Sequence, residues 1–316
     1  MLPVPDASMP TPLLIDTDMG VDDAVAVALA LSTDQLQVVG LVSVGGNVSL
    51  EQATGNIGRL LGAMGVNPSP PVARGLDQSG QLPDASHVFG ADGLGETDLP
   101  IPEGFAPVSY IELYETCIAA HGQALTIVAI GPLTNLAALL RERPGLLQQA
   151  GRIVIMGGAV WKPGNVTPQA EFNFYRDPAA AADVLSAGLP VTLVPLDITT
   201  QVALDESHVA HLARSTAPAR AALARMVRYP IERGGEAVPG KFLVHDALAV
   251  GVLLWPELFL RSRIGLEVVL SGEQAGRSKP AVTRDKSRQI AVVISVTVVD
   301  FLENLLEALC QERFIV

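Results

Sequence analysis

Residues 13–31 read LLIDTDMGVDDAVAVALAL. An apolar run at Leu13–Ile15 ends in four aspartates within eight residues, and apolar residues dominate again from Ala24. This order predicts a buried strand, a tight turn that Gly20 permits, and a helix over 22–32. A strand that passes directly into a helix is typical of α/β proteins.

The four aspartates of this stretch are Asp16, Asp18, Asp22 and Asp23. Like charges a few ångströms apart raise each other's pKa unless a cation neutralises them, and this density therefore indicates a bound metal ion. Carboxylate oxygens are hard ligands that suit Ca²⁺ or Mg²⁺ rather than zinc. Helix capping by Asp22 or Asp23 is the alternative, but it leaves Asp16 and Asp18 unexplained.

The rest of the chain alternates short apolar runs with helical stretches. Near-continuous apolar strands between helices predict a single α/β domain with a mostly parallel, Rossmann-like sheet that carries helices on both faces. Further strands are predicted at Leu36–Val44, Leu125–Ile130, Ile153–Met156, Val191–Leu196, Ile264–Leu270 and Ile290–Val298. Further helices are predicted at Glu51–Met64, 109–120, 133–142, 178–187, 205–214, 217–228, 246–254 and 300–311.

The domain is expected to span residues 1–316, with residues 1–12 flexible. Segments 66–107 and 229–244 are rich in glycine and proline, which predicts loops that could cover a site. The polar stretch 271–289 is expected to be an exposed excursion between strands.

Polar and glycine residues follow several of the predicted strands. In an open parallel sheet, ligands bind beyond the carboxyl ends of the strands. The Asp16–Asp23 cluster follows the first strand, and the groups after later strands are Gly45–Asn47, Gly131–Asn135, Gly157-Gly158 and Asp197. These residues therefore predict an active site at that edge of the sheet.

Composition narrows the class of partner. The chain has 316 residues, 49% of them hydrophobic, which is enough for a sizeable core. Its 21 Lys+Arg against 33 Asp+Glu give a net charge of −12, which argues against nucleic acid or an anionic membrane as partner. The two cysteines, Cys117 and Cys310, predict no disulfide framework.

We find no signal-peptide pattern and no run of roughly 18 apolar residues, so a soluble cytoplasmic protein is expected.

Six blocks of sequence stand out along the chain. They are DTDMGVDDA at 16–24, GGNV at 45–48, AIGPLTNLA at 129–137, IMGGA at 155–159, GNVTPQAEFNF at 164–174 and VHDALAV at 244–250. In kind and in order they resemble the nucleoside hydrolases, the inosine–uridine-preferring ribohydrolase family. The resemblance implies hydrolysis of the N-glycosidic bond of ribonucleosides to ribose and free nucleobase, in purine or pyrimidine salvage. It also implies a homodimer or homotetramer, and it leaves the preferred base open.

The resemblance implies one Ca²⁺ at the bottom of the pocket. Its protein ligands would be the carboxylates of Asp18, Asp23 and Asp246 and the backbone carbonyl of Ile130, with ribose hydroxyls and a water completing the shell. This set agrees with the preference of Ca²⁺ for about six to eight oxygens. Asp18 is also implied to be the general base that takes a proton from the attacking water.

The resemblance further implies a set of polar side chains that bind the ribose hydroxyls. They are Asp22, Asn47, Asn165, Glu171, Asn173 and Asp246. His245 would lie near the base and protonate it as it leaves. Taken alone, Asn165 and Asn173 could instead form turns, His245 could be a core histidine, and Asp246 could cap a helix.

The chain departs from the family pattern at several positions. Phe89 stands where a loop histidine that contacts the base is frequent, and His87 lies two residues earlier. Met19 replaces a common proline in the aspartate turn, which predicts a slightly looser turn. The 229–244 segment matches poorly, although Tyr229 and Arg233 within it could reach the base.

Two other classes of function remain open at this stage. An Asp-x-Asp motif after a strand also occurs in Mg²⁺-dependent phosphohydrolases with an aspartate nucleophile, which usually need a lysine near the phosphate. The later lysines do not follow predicted strands; they are Lys162, Lys241, Lys279 and Lys286. A catalytically silent ribose-binding protein is the second alternative, but binding alone would not need a base such as Asp18.

Overall fold

The computed structural model describes residues 9–78, 84–214, 217–234, 238–283, 285 and 288–311. The strands are β1 (Thr11–Thr17), β2 (Leu36–Ser43), β3 (Val72–Arg74), β4 (Val108–Ser109), β5 (Thr126–Ala129), β6 (Arg152–Met156), β7 (Val191–Val194), β8 (Ala203–Asp205), β9 (Lys241–Leu243), β10 (Phe259–Val268), β11 (Ser278–Ala281) and β12 (Gln289–Val296). The helices are α1 (Val21–Leu31), α2 (Leu50–Met64), α3 (Ser86–Phe89), α4 (Tyr110–His121), α5 (Thr134–Glu142), α6 (Phe172–Arg176), α7 (Pro178–Ser186), α8 (Leu196–Thr199), α9 (Glu206–Ala213), α10 (Pro218–Arg233), α11 (His245–Leu254) and α12 (Val298–Leu309).

A ten-stranded sheet forms the centre of the molecule, in the order β11-β10-β12-β7-β6-β5-β1-β2-β3-β4. Strand β10 runs antiparallel to β11 and β12, and the other neighbouring pairs are parallel. Strands β8 and β9 form a separate antiparallel pair. The predicted α/β class with a mostly parallel sheet is confirmed.

Helices cover both faces of the sheet, as predicted. Side chains alternate across β1: Leu13 and Ile15 pack into one core cluster, and Leu14 packs into the other. The first cluster includes α1, α2, α10, α11 and α12, and the second includes α4, α5 and α7. Every residue of α1 is buried, which explains why this helix is apolar on all sides after Asp22 and Asp23 in its first turn.

Strand β1 lies between β5 and β2. The chain leaves β1 toward β2 and later returns to the other side of β1 as β5, so the connections diverge at this point of the sheet. Such a switch point opens a crevice beyond the carboxyl ends of the strands. The aspartate stretch follows β1, and Ile130 follows β5, so both lie at this crevice. A hydrogen bond from Ile130 N to Asp16 O, at 2.8 Å, joins the ends of the two strands.

The segment 229–244 is not the loop that was predicted. Helix α10 continues through Pro230 to Arg233, and Gly234, at φ 65°, ends it by donating its N–H to Pro230 O. Strand β9 then occupies Lys241–Leu243, and residues 235–237 lie outside the described part of the chain. The glycine and proline content of the segment predicted a loop, but the helix continues past Pro230.

The other predicted loops also contain regular structure. Segment 66–107 includes β3 and α3, and stretch 271–289 includes the edge strand β11. Strand β10 begins at Phe259, five residues before the predicted start at Ile264. Its first half is largely exposed and lacks an apolar run, so no local pattern indicated it. Strand β1 begins at Thr11, inside the stretch predicted to be flexible, and residues 1–8 lie outside the described residues.

Among the described residues, no helix is both long and apolar enough to cross a membrane.

Candidate active site

The turn between β1 and α1 orders the aspartates. Met19 has a φ of 52°, in the left-handed region, which the ring of a proline would not allow. Asp23 lies in the first turn of α1 and accepts hydrogen bonds from Gly20 N at 2.8 Å and Thr17 Oγ1 at 2.5 Å. Asp23 therefore does cap the helix, as the simpler interpretation held, while its carboxylate also faces the other acids.

Three carboxylates meet at the floor of the site. Asp22, Asp23 and Asp246 each offer an oxygen, and these oxygens lie within 4.8 Å of one another. Helices α1 and α11 pack against each other, so their N-termini bring the three residues together. All three side chains are buried. The group differs from the predicted metal-ligand set in containing Asp22 in place of Asp18.

The acids perturb one another strongly. Burial raises the pKa of Asp246 well above its usual value, and the charges of Asp22, Asp23 and Asp18 raise it further. Burial, followed by the charge of Asp23, likewise raises the pKa of Asp18. Buried carboxylates so close together are ionised only when a cation balances them. The donor set therefore fits a hard metal ion.

Asn47 holds both carboxylate oxygens of Asp18. Its backbone N–H donates to Oδ2 at 2.7 Å and its side-chain amide donates to Oδ1 at 3.1 Å; the same amide reaches Asp23 Oδ2 at 3.0 Å. A Cβ at Gly46 would lie 2.0 Å from Asp18 Oδ2, so only glycine permits this approach. Each carboxylate oxygen has a second lone pair, so these bonds leave room for a cation.

Asp16 does not belong to the acid cluster. Its Oδ2 accepts hydrogen bonds from Tyr114 Oη at 2.8 Å and Asn135 Nδ2 at 2.9 Å, on the side of the sheet that α4 and α5 cover. Burial raises the pKa of Asp16 to about 7, and these two hydrogen bonds oppose the rise. The aspartate density of the sequence thus combines a structural residue with site residues.

Asn173 and Glu171 form the opposite wall. Asn173 Nδ2 donates to the carbonyl of Ile130 at 2.9 Å, the carbonyl assigned to the metal on the family resemblance. Glu171 is the N-cap of α6: its carboxylate accepts hydrogen bonds from Asn173 N at 2.7 Å, Gly158 N at 2.8 Å and Phe174 N at 3.1 Å. Burial raises the pKa of Glu171, and these backbone hydrogen bonds oppose the rise.

His245 is the first residue of α11 and is buried at 6% exposure. Its Nδ1 lies 2.7 Å from Thr199 Oγ1. Thr199 was not among the predicted site residues, although Asp197, two residues earlier, was predicted at the site edge of the sheet. The sequence LDITT directly after β7 was the available signal.

These residues surround a cavity of about 580 Å³, within the range of small-molecule sites. All residues predicted to bind ribose line it: Asp22, Asn47, Asn165, Glu171, Asn173 and Asp246. Ile130 and His245 also line it, whereas Asp18 and Asp23, at 0% exposure, are not among its lining residues. The apolar part of the wall includes Val88, Phe89, Met156, Val166, Leu196 and Leu243.

Phe89 lines the cavity and stacks edge-to-face on Phe242, with ring centroids 6.3 Å apart. His87 also lines it and is exposed. Tyr229 and Arg233 are not among the described residues of the lining. Tyr229 Oη donates to Glu96 at 3.1 Å, and the Arg233 guanidinium lies over the Tyr229 ring at 5.2 Å. That these two side chains could reach the base stays a prediction.

Comparison with known proteins adds to this description. Residues 13–303 match the sequence profile of the inosine-uridine preferring nucleoside hydrolases. The pyrimidine-specific ribonucleoside hydrolase RihA of Salmonella enteritidis is 37% identical over 258 residues, 79% of this chain and 82% of that protein. Uridine nucleosidase 1 of Arabidopsis thaliana is 34% identical over 272 residues, 84% of this chain and 80% of that protein. The structure of the purine-preferring ribonucleoside hydrolase from Gardnerella vaginalis has a TM-score of 0.86 at 30% identity, covering 94% of this chain and 98% of that one.

The fold and the acidic cavity define an α/β enzyme of the nucleoside N-ribohydrolase class. The chain belongs to the inosine-uridine preferring nucleoside hydrolase family, because the match extends over most of its length.

Proposed function

We propose that this enzyme is a Ca²⁺-dependent ribonucleoside hydrolase that cleaves the bond between ribose C1′ and the nucleobase. The observation that carries the proposal is the buried carboxylate group beneath a cavity whose polar wall can bind a sugar. A nucleoside has one polar, hydroxyl-rich half and one flat, apolar half. The residues that line the cavity include carboxylates and amides as well as apolar side chains.

Asp18, Asp23 and Asp246 are the carboxylates that we propose hold the metal, together with the carbonyl of Ile130. Asp22 lies within the same group of oxygens and is a further candidate ligand. When bound, Ca²⁺ would supply positive charge that lowers the pKa of a coordinated water and would anchor neighbouring hydroxyls. The all-oxygen donor set favours Ca²⁺ or Mg²⁺, and the family resemblance favours Ca²⁺ between the two.

The polar wall is suited to ribose. A sugar hydroxyl both donates and accepts, so it needs acceptors such as Asp22 and the side-chain carbonyl oxygens of Asn47 and Asn173 beside a donor such as the amide group of Asn165. The hydrogen bonds that Glu171 accepts from the backbone fix its carboxylate: Oε2 accepts two of them, and Oε1 accepts one and keeps a lone pair for a hydroxyl. Asn165 lies at the cavity with its Oδ1 accepting from Phe172 N at 3.0 Å, which leaves its amide group to donate.

Asp18 would be the general base. Its carboxylate accepts the proton of the attacking water as the water oxygen approaches C1′, and the two donors of Asn47 keep that carboxylate in one orientation. The sugar passes through an oxocarbenium-like transition state, as in other glycoside cleavage. The neighbouring carboxylates favour the positive charge that develops on the ring.

His245 would protonate the departing base. Phe89 lies in the cavity wall and offers an aromatic face for a planar base. The named relatives include uridine, pyrimidine-specific and purine-preferring enzymes, so a test of this chain must include both kinds of base.

The decisive experiment measures ribose release, as reducing sugar, from inosine, guanosine, uridine, cytidine and p-nitrophenyl riboside, with and without a chelator. Ribose formation that the chelator abolishes is the expected result. Phosphate release from phosphomonoesters without ribose release would instead favour the Mg²⁺ phosphohydrolase, and tight binding without turnover would favour a ribose-binding protein. No lysine or arginine is among the described residues that line the cavity, which argues against a phosphate substrate.

Assembly as a homodimer or homotetramer and a cytoplasmic location stay predictions.

A further inference from the structure

The short helix α8 contacts several parts of the cavity at once. Leu196 and Thr200, at either end of it, line the cavity. Asp197 accepts hydrogen bonds from Val160 N and Trp161 N, both at 2.8 Å, and thereby holds the loop that leads to the sugar side of the site. Thr199 is fully buried, and its hydroxyl contacts His245.

The contact between Thr199 Oγ1 and His245 Nδ1 fixes the histidine ring. An imidazole has two nitrogens on different edges, so a 2.7 Å bond at Nδ1 restricts rotation of the ring about its side-chain bonds. Because the ring lines the cavity, Nε2 is then the nitrogen that can meet a nucleobase. A hydroxyl both donates and accepts, so Thr199 can keep this bond whether or not Nδ1 carries a proton.

We propose that Thr199 is a positioning residue for departure of the nucleobase: its hydroxyl holds the His245 imidazole so that Nε2 can give its proton to the base. This role rests on the proposed N-glycosidic hydrolysis. In that reaction the C1′–N bond breaks and its electron pair goes to the base, which takes the proton from His245 Nε2. The water oxygen bonds to C1′ and its proton goes to Asp18; solvent exchange then returns both groups to their starting states.

The role predicts a dependence on the leaving group. A natural nucleobase is a poor leaving group and needs a proton, whereas p-nitrophenolate leaves readily without one. Misplacing the proton donor should therefore lower the turnover of ribonucleosides and leave the turnover of p-nitrophenyl riboside nearly unchanged. Loss of a merely structural contact would disturb the sugar-binding residues or the fold, and it would lower turnover of both substrates.

The test compares Thr199→Val, which keeps the shape and removes the hydroxyl, with Thr199→Ser, which keeps the hydroxyl. With T199V, kcat for the best ribonucleoside should fall by about tenfold to 100-fold, with KM within about twofold of wild type. Turnover of p-nitrophenyl riboside should stay within about twofold. T199S should recover most of the lost kcat. Equal losses on both substrates, or no loss with T199V, would overturn the role.

Two further measurements make the outcome specific to His245. The double variant T199V/H245A should be no slower on ribonucleosides than H245A, because Thr199 acts through the ring alone; a further loss would contradict this. The ring ¹⁵N signals of His245, assigned by their absence in H245A, should change in T199V and return in T199S, and unchanged signals would overturn the proposed contact. If the wild-type enzyme releases no ribose from any ribonucleoside, the proposed function itself fails. If the wild-type enzyme is active and T199V is equally active, only the proposed role of Thr199 is overturned.

Discussion

Asp18 is fully buried beside the acid cluster, with both carboxylate oxygens hydrogen-bonded to Asn47. Asp18→Asn keeps the size of the side chain but replaces an oxygen with an amide that cannot take a proton from water. We expect kcat for ribonucleosides to fall about 10²–10⁴-fold, measured as ribose release with Ca²⁺ raised to saturation. Asp300→Asn, at an exposed position of α12, is the matched control and should keep wild-type turnover. Near-normal kcat in D18N would remove Asp18 as the general base.

The proposed acid, His245, is tested by its leaving-group dependence. His245→Ala should lower turnover of inosine or uridine by about tenfold or more, because a natural base must be protonated as it leaves. It should barely change turnover of p-nitrophenyl riboside, whose leaving group needs no proton. Steady-state kinetics on both substrates gives the comparison. Losses of the same size on the two would mean that His245 supports the fold or the neighbouring Asp246 instead.

The ribose-facing side chains predict strong discrimination at the 2′-hydroxyl. A buried site built to bond a hydroxyl is penalised when that hydroxyl is missing, because its own polar groups lose their partner. We expect kcat/KM for uridine to exceed that for 2′-deoxyuridine by about 10²-fold or more. Asn47→Ala should lower activity on uridine more than on 2′-deoxyuridine and so narrow the ratio. Comparable kcat/KM values in the wild type would contradict the proposed sugar contacts.

At the scale of elements, the short helix α6 depends on its cap. Glu171 accepts three backbone N–H groups, and one of them, Gly158 N, belongs to a different segment that follows β6. Glu171→Gln places an amide NH₂ against one of these donors. We expect about 1–2 kcal/mol lower unfolding free energy by urea denaturation, together with lower kcat.

The control for that experiment is another capping residue. Asp205 caps α9 by accepting hydrogen bonds from Ser207 N and His208 N, and it is not among the residues that line the cavity. Asp205→Ala should lower the unfolding free energy by about 1 kcal/mol and leave kcat unchanged. If E171Q lost stability with full activity, the carboxylate of Glu171 would serve the helix alone.

The elements that the sequence predicted well are those with strong local patterns. Strand β1 and helix α1 follow from an apolar run, a turn glycine and a second apolar run. Strand β11, with the sequence SKPA, was missed because an edge strand can carry lysine and proline. Helix α10 was predicted too short because segment 229–244, rich in glycine and proline, was predicted to be a loop.

Site residues were predictable where they follow strands, because parallel strands bring their carboxyl ends to one edge. The separation of Asp16 from the other aspartates was not predictable. Its partners Tyr114 and Asn135 lie 98 and 119 residues away in the chain, and no local pattern reports such pairing. Thr199 follows β7, but its contact with His245, 46 residues away, could not be read from that local sequence.

At the scale of the whole molecule, the acid cluster joins parts of the chain that are distant in sequence. The N-termini of α1 and α11 both point to it, and their helix dipoles favour the negative charges of Asp22, Asp23 and Asp246. The mutual repulsion of those charges opposes the same packing of α1 on α11. A cation at the cluster would remove the repulsion and link the two helices. Metal binding should therefore stabilise the folded enzyme as well as activate it.

We expect Ca²⁺ to raise the melting temperature by several degrees, because a ligand at 100 times its Kd stabilises the folded state by about 2.7 kcal/mol. Scanning calorimetry with Ca²⁺ and with a chelator measures the shift, and elemental analysis gives the bound metal per chain. The net charge of −12 also attracts cations without specific binding, so the scans need a high constant background of NaCl.

Asp246→Asn is the control, because it keeps the overall charge within one unit yet removes a proposed ligand, and it should lose the Ca²⁺-dependent shift. Mg²⁺ should produce a smaller shift, since it tolerates irregular oxygen sets less well. Metal-free protein with full activity and an unchanged melting temperature would rule out the proposed metal site.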